Sequence, residues 1–294
     1  MKIAIFGQFY HINAEEAVKI LFDYLNKHHL KAFIEENFFN IINSQLKTQK
    51  NYDSFNTFTS LDKSFDLLIS IGGDGTILRA ITLVKDLGIP IVGINTGRLG
   101  FLATIQNDYI TTAIDHILKG NYKISERSLL EIKTTPENPD LVDINFALNE
   151  IAVSRKNTTS MITVETQLNN EYLTSYWSDG LIVATPTGST GYSLSCGGPV
   201  ITPDTNSFVL TPIAPHNLSA RPLIIPDATE IQLKVSGREE NHLVSLDSRI
   251  ATLSNETLIT IKKAPFKIKM IELLDESFLD TLRKKLLWGE DRRN

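Results

Sequence analysis

Apolar and polar positions follow two different rhythms along this chain, and the change falls near residue 125. In the first part, short apolar runs alternate with longer stretches of helical spacing. Residues 2–6 form an apolar run. Ala17, Ile20, Leu21, Tyr24 and Leu25 then recur at one helical face within residues 14–29, which predicts an amphipathic helix. Residues 32–34, 66–71 and 89–94 are further strand-like runs. Residues 77–84 read as a helix, and residues 109–119 as another closed by Gly120. Strands alternating with helices predict an α/β domain with a Rossmann-like parallel sheet covered on both faces. The stretch 45–64 is polar with weak periodicity and reads as a loop.

Beyond Ser125 the runs become short, β-rich and punctuated by turn residues. They fall at residues 128–134, 143–153, 162–168, 181–184, 207–211, 231–235, 243–246 and 257–261. Asn169-Asn170 suits a hairpin turn between 162–168 and 172–176. This predicts an all-β domain. Residues 267–273 read as a strand and 277–287 as a helix, a pair expected to return to the first domain. The expected division is therefore 1–125 with 267–294, an α/β nucleotide-binding domain, and 126–266, a β-rich domain.

Composition narrows the function classes. With 294 residues, 42% apolar and 21% charged, the chain has the makeup of a globular protein that can build a sizeable core. A net charge of −5 argues against a nucleic-acid binder working through bulk charge. Cys196 is the only cysteine, which excludes an intrachain disulfide and a thiolate metal cluster. The opening apolar run is too short for a signal peptide, and no stretch of membrane-spanning length is apolar. A cytoplasmic protein without membrane or nucleic-acid partners is the expectation.

The most informative residues are Gly72-Gly73-Asp74-Gly75-Thr76, set between an apolar run and a helix. Strand, glycine turn and helix N-terminus form a layout in which backbone amides meet an anion. Glycines allow close approach and positive φ. Asp74 beside a phosphate needs a reason: it holds a metal, or accepts a proton from a hydroxyl about to be phosphorylated. A helix-start turn with a carboxylate at the positive end of the dipole is the plainer reading. The turn suggests a kinase, though lipid kinases and phosphofructokinases carry it too. Asn95-Thr96-Gly97-Arg98-Leu99-Gly100-Phe101-Leu102 follows another strand; it suits a phosphate or ribose loop, or an ordinary connection. Both lie at strand C-terminal ends, where ligands bind in such sheets, and are expected to face one crevice.

In the β-rich part, Asn149-Glu150 interrupts an apolar run. In a strand the two would point to opposite faces, so one would be buried and need a partner. The segment 178–199 runs as a strand, a stretch of glycine and small hydroxyl residues, and a short helix, with Thr187 to Ser195 offering hydroxyls around one turn. His216 and Asp247 read as loop and turn residues. P-loop, Rossmann and protein-kinase signatures are absent.

Together these blocks resemble the NAD kinase family, in its order, at residues 72–76, 95–102, 149–150, 178–199 and 211–222. The resemblance implies an N-terminal α/β domain, a C-terminal β-sandwich-like domain and an active site between them. It implies transfer of the ATP γ-phosphoryl group to the 2′-hydroxyl of the adenosine ribose of NAD, giving NADP and ADP. Asp74 matches the catalytic aspartate. Gly72, Gly73, Gly75 and Thr76 match the ATP-phosphate turn. Gly75, Arg79, Asn149, Glu150, Asp179, Thr190, Gly191, Tyr192, Ser193, Leu194, Ser195 and Ala214 match NAD-contacting positions, Asp179 toward the nicotinamide end across a subunit contact. Mg²⁺ on the ATP phosphates and a homodimer or homotetramer are implied as well, with no metal ligands assigned. Trp177 stands where many bacterial members have a basic residue, Arg249 where many have glutamine, and Gly191 where alanine is usual. A lipid-type kinase, which would not need residues 187–195, and a non-catalytic dinucleotide-binding regulator remain open.

Overall fold

The structure is a computed structural model that describes residues 1–8, 12–45, 55–157 and 160–288. In chain order the elements begin with β1 (Lys2–Gly7), α1 (Ile12–Lys27), β2 (Lys31–Glu35), α2 (Glu36–Gln45), β3 (Asn56–Phe58), β4 (Leu67–Gly72), α3 (Asp74–Val84), β5 (Ile91–Asn95), α4 (Ile110–Leu118) and β6 (Tyr122–Arg127). Next come β7 (Leu130–Thr135), β8 (Phe146–Ala147), β9 (Glu150–Arg155), β10 (Ile162–Leu168), β11 (Glu171–Ser178), β12 (Gly180–Ala184), α5 (Tyr192–Ser195), β13 (Ser207–Ile213) and β14 (Leu223–Pro226). Then follow β15 (Ile231–Gly237), β16 (Asn241–Leu246), β17 (Arg249–Ser254), β18 (Leu258–Lys263), β19 (Ile268–Leu273) and α6 (Phe278–Leu286). The chain divides into two compact units, Met1–Glu126 with Ile268–Asn294, and Arg127–Lys267.

The first unit is built on a seven-stranded sheet of order β3-β2-β1-β4-β5-β19-β6. The ladders β1–β2, β1–β4, β2–β3, β4–β5 and β5–β19 are parallel. Chain order reverses at β1, which lies between β2 and β4, and ligands favour the carboxyl ends of strands at such a switch point. Helix α1 buries Ala17, Leu21, Tyr24 and Leu25 as its spacing predicts, adds Val18 and Phe22, and leaves Ile20 half-buried. After α4, Gly120 takes φ +73° and returns its amide to the Ile117 carbonyl. The final helix is capped by Ser277, whose hydroxyl accepts the Asp280 amide at 3.1 Å.

The second unit contains two six-stranded sheets, β11-β10-β15-β18-β7-β8 and β14-β13-β12-β9-β16-β17. Ile132, Val164, Leu233 and Ile259 from the first sheet share one core with Val153, Leu181, Leu210 and Val244 from the second, so the sheets pack face to face as a sandwich. The second sheet is buried on its outer side too. Ala152, Ile182, Ala184 and Val209 there pack with Ile201, which follows the glycine- and hydroxyl-rich segment. Asn169 and Asn170 adopt φ +51° and +65° in the β10–β11 hairpin.

Several elements differ from the sequence expectation. α2 is an unanticipated helix, nucleated where the Glu35 carboxylate accepts the Phe38 amide at 2.9 Å and Phe38 and Ile42 enter the core. β3 stands inside the stretch read as a loop, too short for periodicity to register and defined by its ladder to β2; residues 46–54 of that stretch lie outside the described residues. β6 and β17, where pairing rather than apolar content makes the strand, were not anticipated either, nor was the short apolar β14. Helix α3 starts at Asp74, not residue 77, which puts Asp74 and Gly75 in its first turn. The run 143–153 is broken into β8 and β9, with Leu148 and Asn149 in the bend between them.

Candidate active site

In the first unit, β4 ends at Gly72 and α3 begins two residues later. Gly72 has φ +151°, and a Cβ there would stand 2.2 Å from Thr76 Oγ1. That position requires glycine for both conformation and space. Gly73 and Gly75 have a different reason. Gly73 is the extended N-cap of α3 with φ −96°, and a Cβ at either position would meet nothing within 4 Å. The expectation of positive φ thus holds at Gly72 and is corrected at the other two, which instead leave open ground at the amide end of an eleven-residue helix. The leading amides of a helix have no intrahelical partner, and its dipole favours an anion there.

The Asp74 side chain turns from the helix to the second glycine loop. Its Oδ2 accepts the Phe101 amide at 2.8 Å, and its Oδ1 accepts the Leu102 and Ala103 amides at 3.0 and 2.9 Å. Asn95 shapes the same loop: its amide group donates to the Arg98 and Ala103 carbonyls, and its Oδ1 accepts the Gly97 amide. The two loops are therefore one structure, as their shared position at strand ends implied. Three of roughly four carboxylate lone-pair sites are used, and the remaining one is on Oδ2. Arg79, exposed on α3, lines a cleft of about 370 Å³ with Gly7 and Glu35 at the carboxyl ends of β1 and β2.

In the second unit, Asn149 and Glu150 lie where β9 begins, beside the turn that follows β12. Thr185 binds them from one side: its amide donates to the Asn149 carbonyl at 2.9 Å and its hydroxyl to the Leu148 carbonyl at 2.6 Å. Gly188 must be glycine, since a Cβ would stand 2.0 Å from the Asn149 carbonyl oxygen. Asn149 Oδ1 and Glu150 Oε2 are buried oxygens with no hydrogen-bond partner in the protein. Burial pushes the Glu150 carboxyl up to about 8, helped by the nearby charge of Asp247 and opposed by the Tyr192 backbone amide. Gly191 borders both side chains: a Cβ would stand 3.0 Å from Glu150 Oε2 and 3.5 Å from Asn149 Nδ2.

The segment 187–195 folds as a 3-10 turn over Thr187–Thr190 followed by α5. Its hydroxyls serve different ends. Ser189 and Ser193 are fully buried. Ser189 donates to the Pro186 carbonyl and accepts the Ile201 amide, and Ser193 pairs with Thr211 at 2.8 Å. Thr190 donates to the Thr187 carbonyl at 3.1 Å. Tyr192 and Ser195 are exposed, Leu194 half-buried. Asp179 pairs with Arg155 at 2.9 Å, and its amide donates to the Ile213 carbonyl, next to exposed Ala214 at φ +42°. Trp177 packs against His216 in a tilted ring contact at 4.3 Å between centroids, and its carbonyl accepts the His216 amide.

Sequence reasoning named two residues without seeing their scaffolding role. Asp247, read as a turn residue, accepts the Leu148, Asn149 and Glu150 amides at 3.0, 2.8 and 3.2 Å. Arg249 donates to the Ile144 carbonyl at 2.8 Å and to the Phe146 carbonyl. A charged pair beside the end of an apolar strand was the available signal. Among the described residues, no group of three or more His, Cys, Asp or Glu is placed to hold a metal ion.

Comparison with known proteins agrees with this arrangement. The profile of the ATP-NAD kinase N-terminal domain matches residues 3–122, and that of the ATP-NAD kinase C-terminal domain matches residues 148–273. Full-length relatives include the NAD kinases of Flavobacterium psychrophilum, 60% identical, and Christiangramia forsetii, 61% identical, each covering 100% of both chains. A solved NAD kinase from Archaeoglobus fulgidus in complex with ATP is 26% identical with a TM-score of 0.75, covering 98% of this chain and 99% of that one. Yeast NADH kinase complexed with NADH shares the fold at 23% identity, with a TM-score of 0.85 over 99% of this chain and 89% of that one. With both domain profiles matched and relatives of this identity along its whole length, the chain belongs to the ATP-NAD kinase family.

Proposed function

We propose that the chain transfers the γ-phosphoryl group of ATP to the 2′-hydroxyl of the adenosine ribose of NAD, releasing NADP and ADP. The observation that carries this reading is the pair of buried, unpartnered oxygens, Asn149 Oδ1 and Glu150 Oε2. Buried polar oxygens without partners are costly unless a ligand supplies them, and ribose hydroxyls, which both donate and accept, are such partners. Gly191, Tyr192, Leu194 and Ser195 would border the dinucleotide, with Thr190 and Ser193 shaping the turn beneath it. Asp179 and Ala214 would serve its nicotinamide end.

Phosphoryl transfer through a loose transition state depends on positioning and charge neutralisation more than on nucleophile activation. Early removal of a ribose proton is therefore not required of Asp74. Its Oδ2 would orient the 2′-hydroxyl and receive the proton late, while Oδ1 stays fixed on two loop amides. The amides of residues 72–76 would hold the donor phosphates, with Arg79 nearby as a cation. Magnesium would enter as the MgATP complex, held by the phosphates of the cosubstrate. The same reading includes a cytoplasmic enzyme that works as a homodimer or homotetramer, which light scattering after size exclusion tests.

The activity test is incubation with ATP, Mg²⁺ and NAD, with NADP measured by an NADP-specific dehydrogenase. NADP formation is expected. Absence of NADP with robust phosphorylation of a diacylglycerol would overturn the reading in favour of a lipid-type kinase.

A further inference from the structure

We infer that Asp247 is a positioning residue for the acceptor dinucleotide: it sets the backbone of residues 148–150 so that the side chains of Asn149 and Glu150 are presented to the ligand. The inference rests on the reading of those two side chains as dinucleotide contacts.

Backbone accounting over the three residues is complete. The amides of Leu148, Asn149 and Glu150 all go to the Asp247 carboxylate. The Leu148 carbonyl accepts the Thr185 hydroxyl, the Asn149 carbonyl the Thr185 amide, and the Glu150 carbonyl the Asp247 amide at 3.0 Å. Two residues thus satisfy all of the main-chain groups in this bend, yet one oxygen on each of the two side chains it carries is left without a protein partner. A segment needed only for folding would show the opposite balance, with side chains engaged as well.

Asp247 itself bears a cost that a plain hairpin turn would not. It occupies φ +52° in the turn between β16 and β17, and its side chain is only 2% exposed. Turn aspartates ordinarily point to water, whereas this one is directed inward, where burial opposes its charge. Arg249, the first residue of β17, completes the frame, with its guanidinium 4.0 Å from Asp247 Oδ2 and two hydrogen bonds to the carbonyls of residues 144 and 146.

The test compares Asp247→Gly, Asp247→Asn and Asn149→Ala by steady-state kinetics with NAD and ATP varied separately, and by calorimetric titration of NAD without ATP. Glycine accepts the left-handed turn and removes the carboxylate. Asparagine keeps the size but opposes its amide group to a backbone N–H. The expected result for Asp247→Gly is a rise of about tenfold or more in KM for NAD, matched by weaker NAD binding, with KM for ATP changed by less than about twofold. Asp247→Asn should show a smaller rise of the same kind, and it decides the matter if the glycine variant does not fold by circular dichroism. If Asn149→Ala raises KM for NAD and folded Asp247 variants do not, the positioning role is overturned while the dinucleotide reading stands. If Asn149→Ala also leaves NAD binding unchanged, both are overturned.

Discussion

A Cβ at Gly100 would stand 1.9 Å from Asp74 Oδ1, so the absence of a side chain at position 100 is what lets the Asp74 carboxylate reach the amides of residues 101–103. The catalytic aspartate we propose and the loop beneath it fit each other only as this pair.

Gly100→Ala should therefore act as a catalytic mutation without touching a catalytic residue. The methyl group forces the Asp74 carboxylate or the loop aside, and we expect kcat to fall by about tenfold or more, since small misplacements of a reacting group are costly. The strain should also lower stability by about 1–3 kcal/mol. NADP formation rates and urea denaturation check the two effects.

Asp74→Asn separates orientation from charge. Asparagine can keep two of the amide contacts through its oxygen but cannot take a proton from the ribose hydroxyl. We expect kcat to drop by at least about a hundredfold, within the usual range for a general base, with the fold retained. Near-normal kcat in a folded variant would remove Asp74 from the role of proton acceptor.

Gly75→Ala should move stability and activity in opposite directions. Position 75 is in the first turn of α3 and faces open space, so alanine costs nothing sterically and favours the helix by up to about 1 kcal/mol. If donor phosphates or dinucleotide approach this surface, the methyl occupies their ground. An increase in the urea midpoint together with a rise in KM for ATP or NAD is the expected pair of results.

Glu150 should make stability pH-dependent. Its carboxyl is raised to about 8 in the folded chain by burial, then by Asp247, so the native state binds more protons than the unfolded state above the ordinary carboxylate range. Stability from this group is fully present below that range and is lost as pH rises toward 8, at up to about 1.4 kcal/mol per pH unit. Asp247, Tyr192 and Cys196 face the same corner and burial raises all three, while Arg249 is a cation 4.0 Å from Asp247. Glu150→Gln should flatten the decline between pH 5 and 8, read as urea midpoints across pH. An unchanged slope would show that Glu150 ionises normally.

The α/β rhythm, most of the sandwich-forming strands and the glycine turn were legible in the chain, because each rests on local rules: apolar spacing, turn residues and backbone freedom at glycine; β14 and β17 were not. Gly72-Gly73-Asp74-Gly75-Thr76 suggested an anion-binding turn with a purposeful carboxylate, and Asn149-Glu150 stood out as polar residues in an apolar run. Local pattern could not say which glycines need positive φ. Of the three in this turn only Gly72 has it, and there Thr76 also leaves no room for a Cβ. It could not end the strand before Asn149 either, since that break depends on Asp247, 98 residues away along the chain.

By itself the sequence determined most of the elements, the two rhythms along the chain, the glycine turn and the polar pair at residues 149–150. Tertiary structure alone decided their partners. It gave the Asp74 carboxylate to the loop of residues 101–103, assigned the backbone of residues 148–150 to Asp247 and Thr185, and left Asn149 Oδ1 and Glu150 Oε2 open. The physical reason is that hydrogen-bond satisfaction in a buried site is settled between groups distant in sequence, where neither spacing nor composition carries a signal.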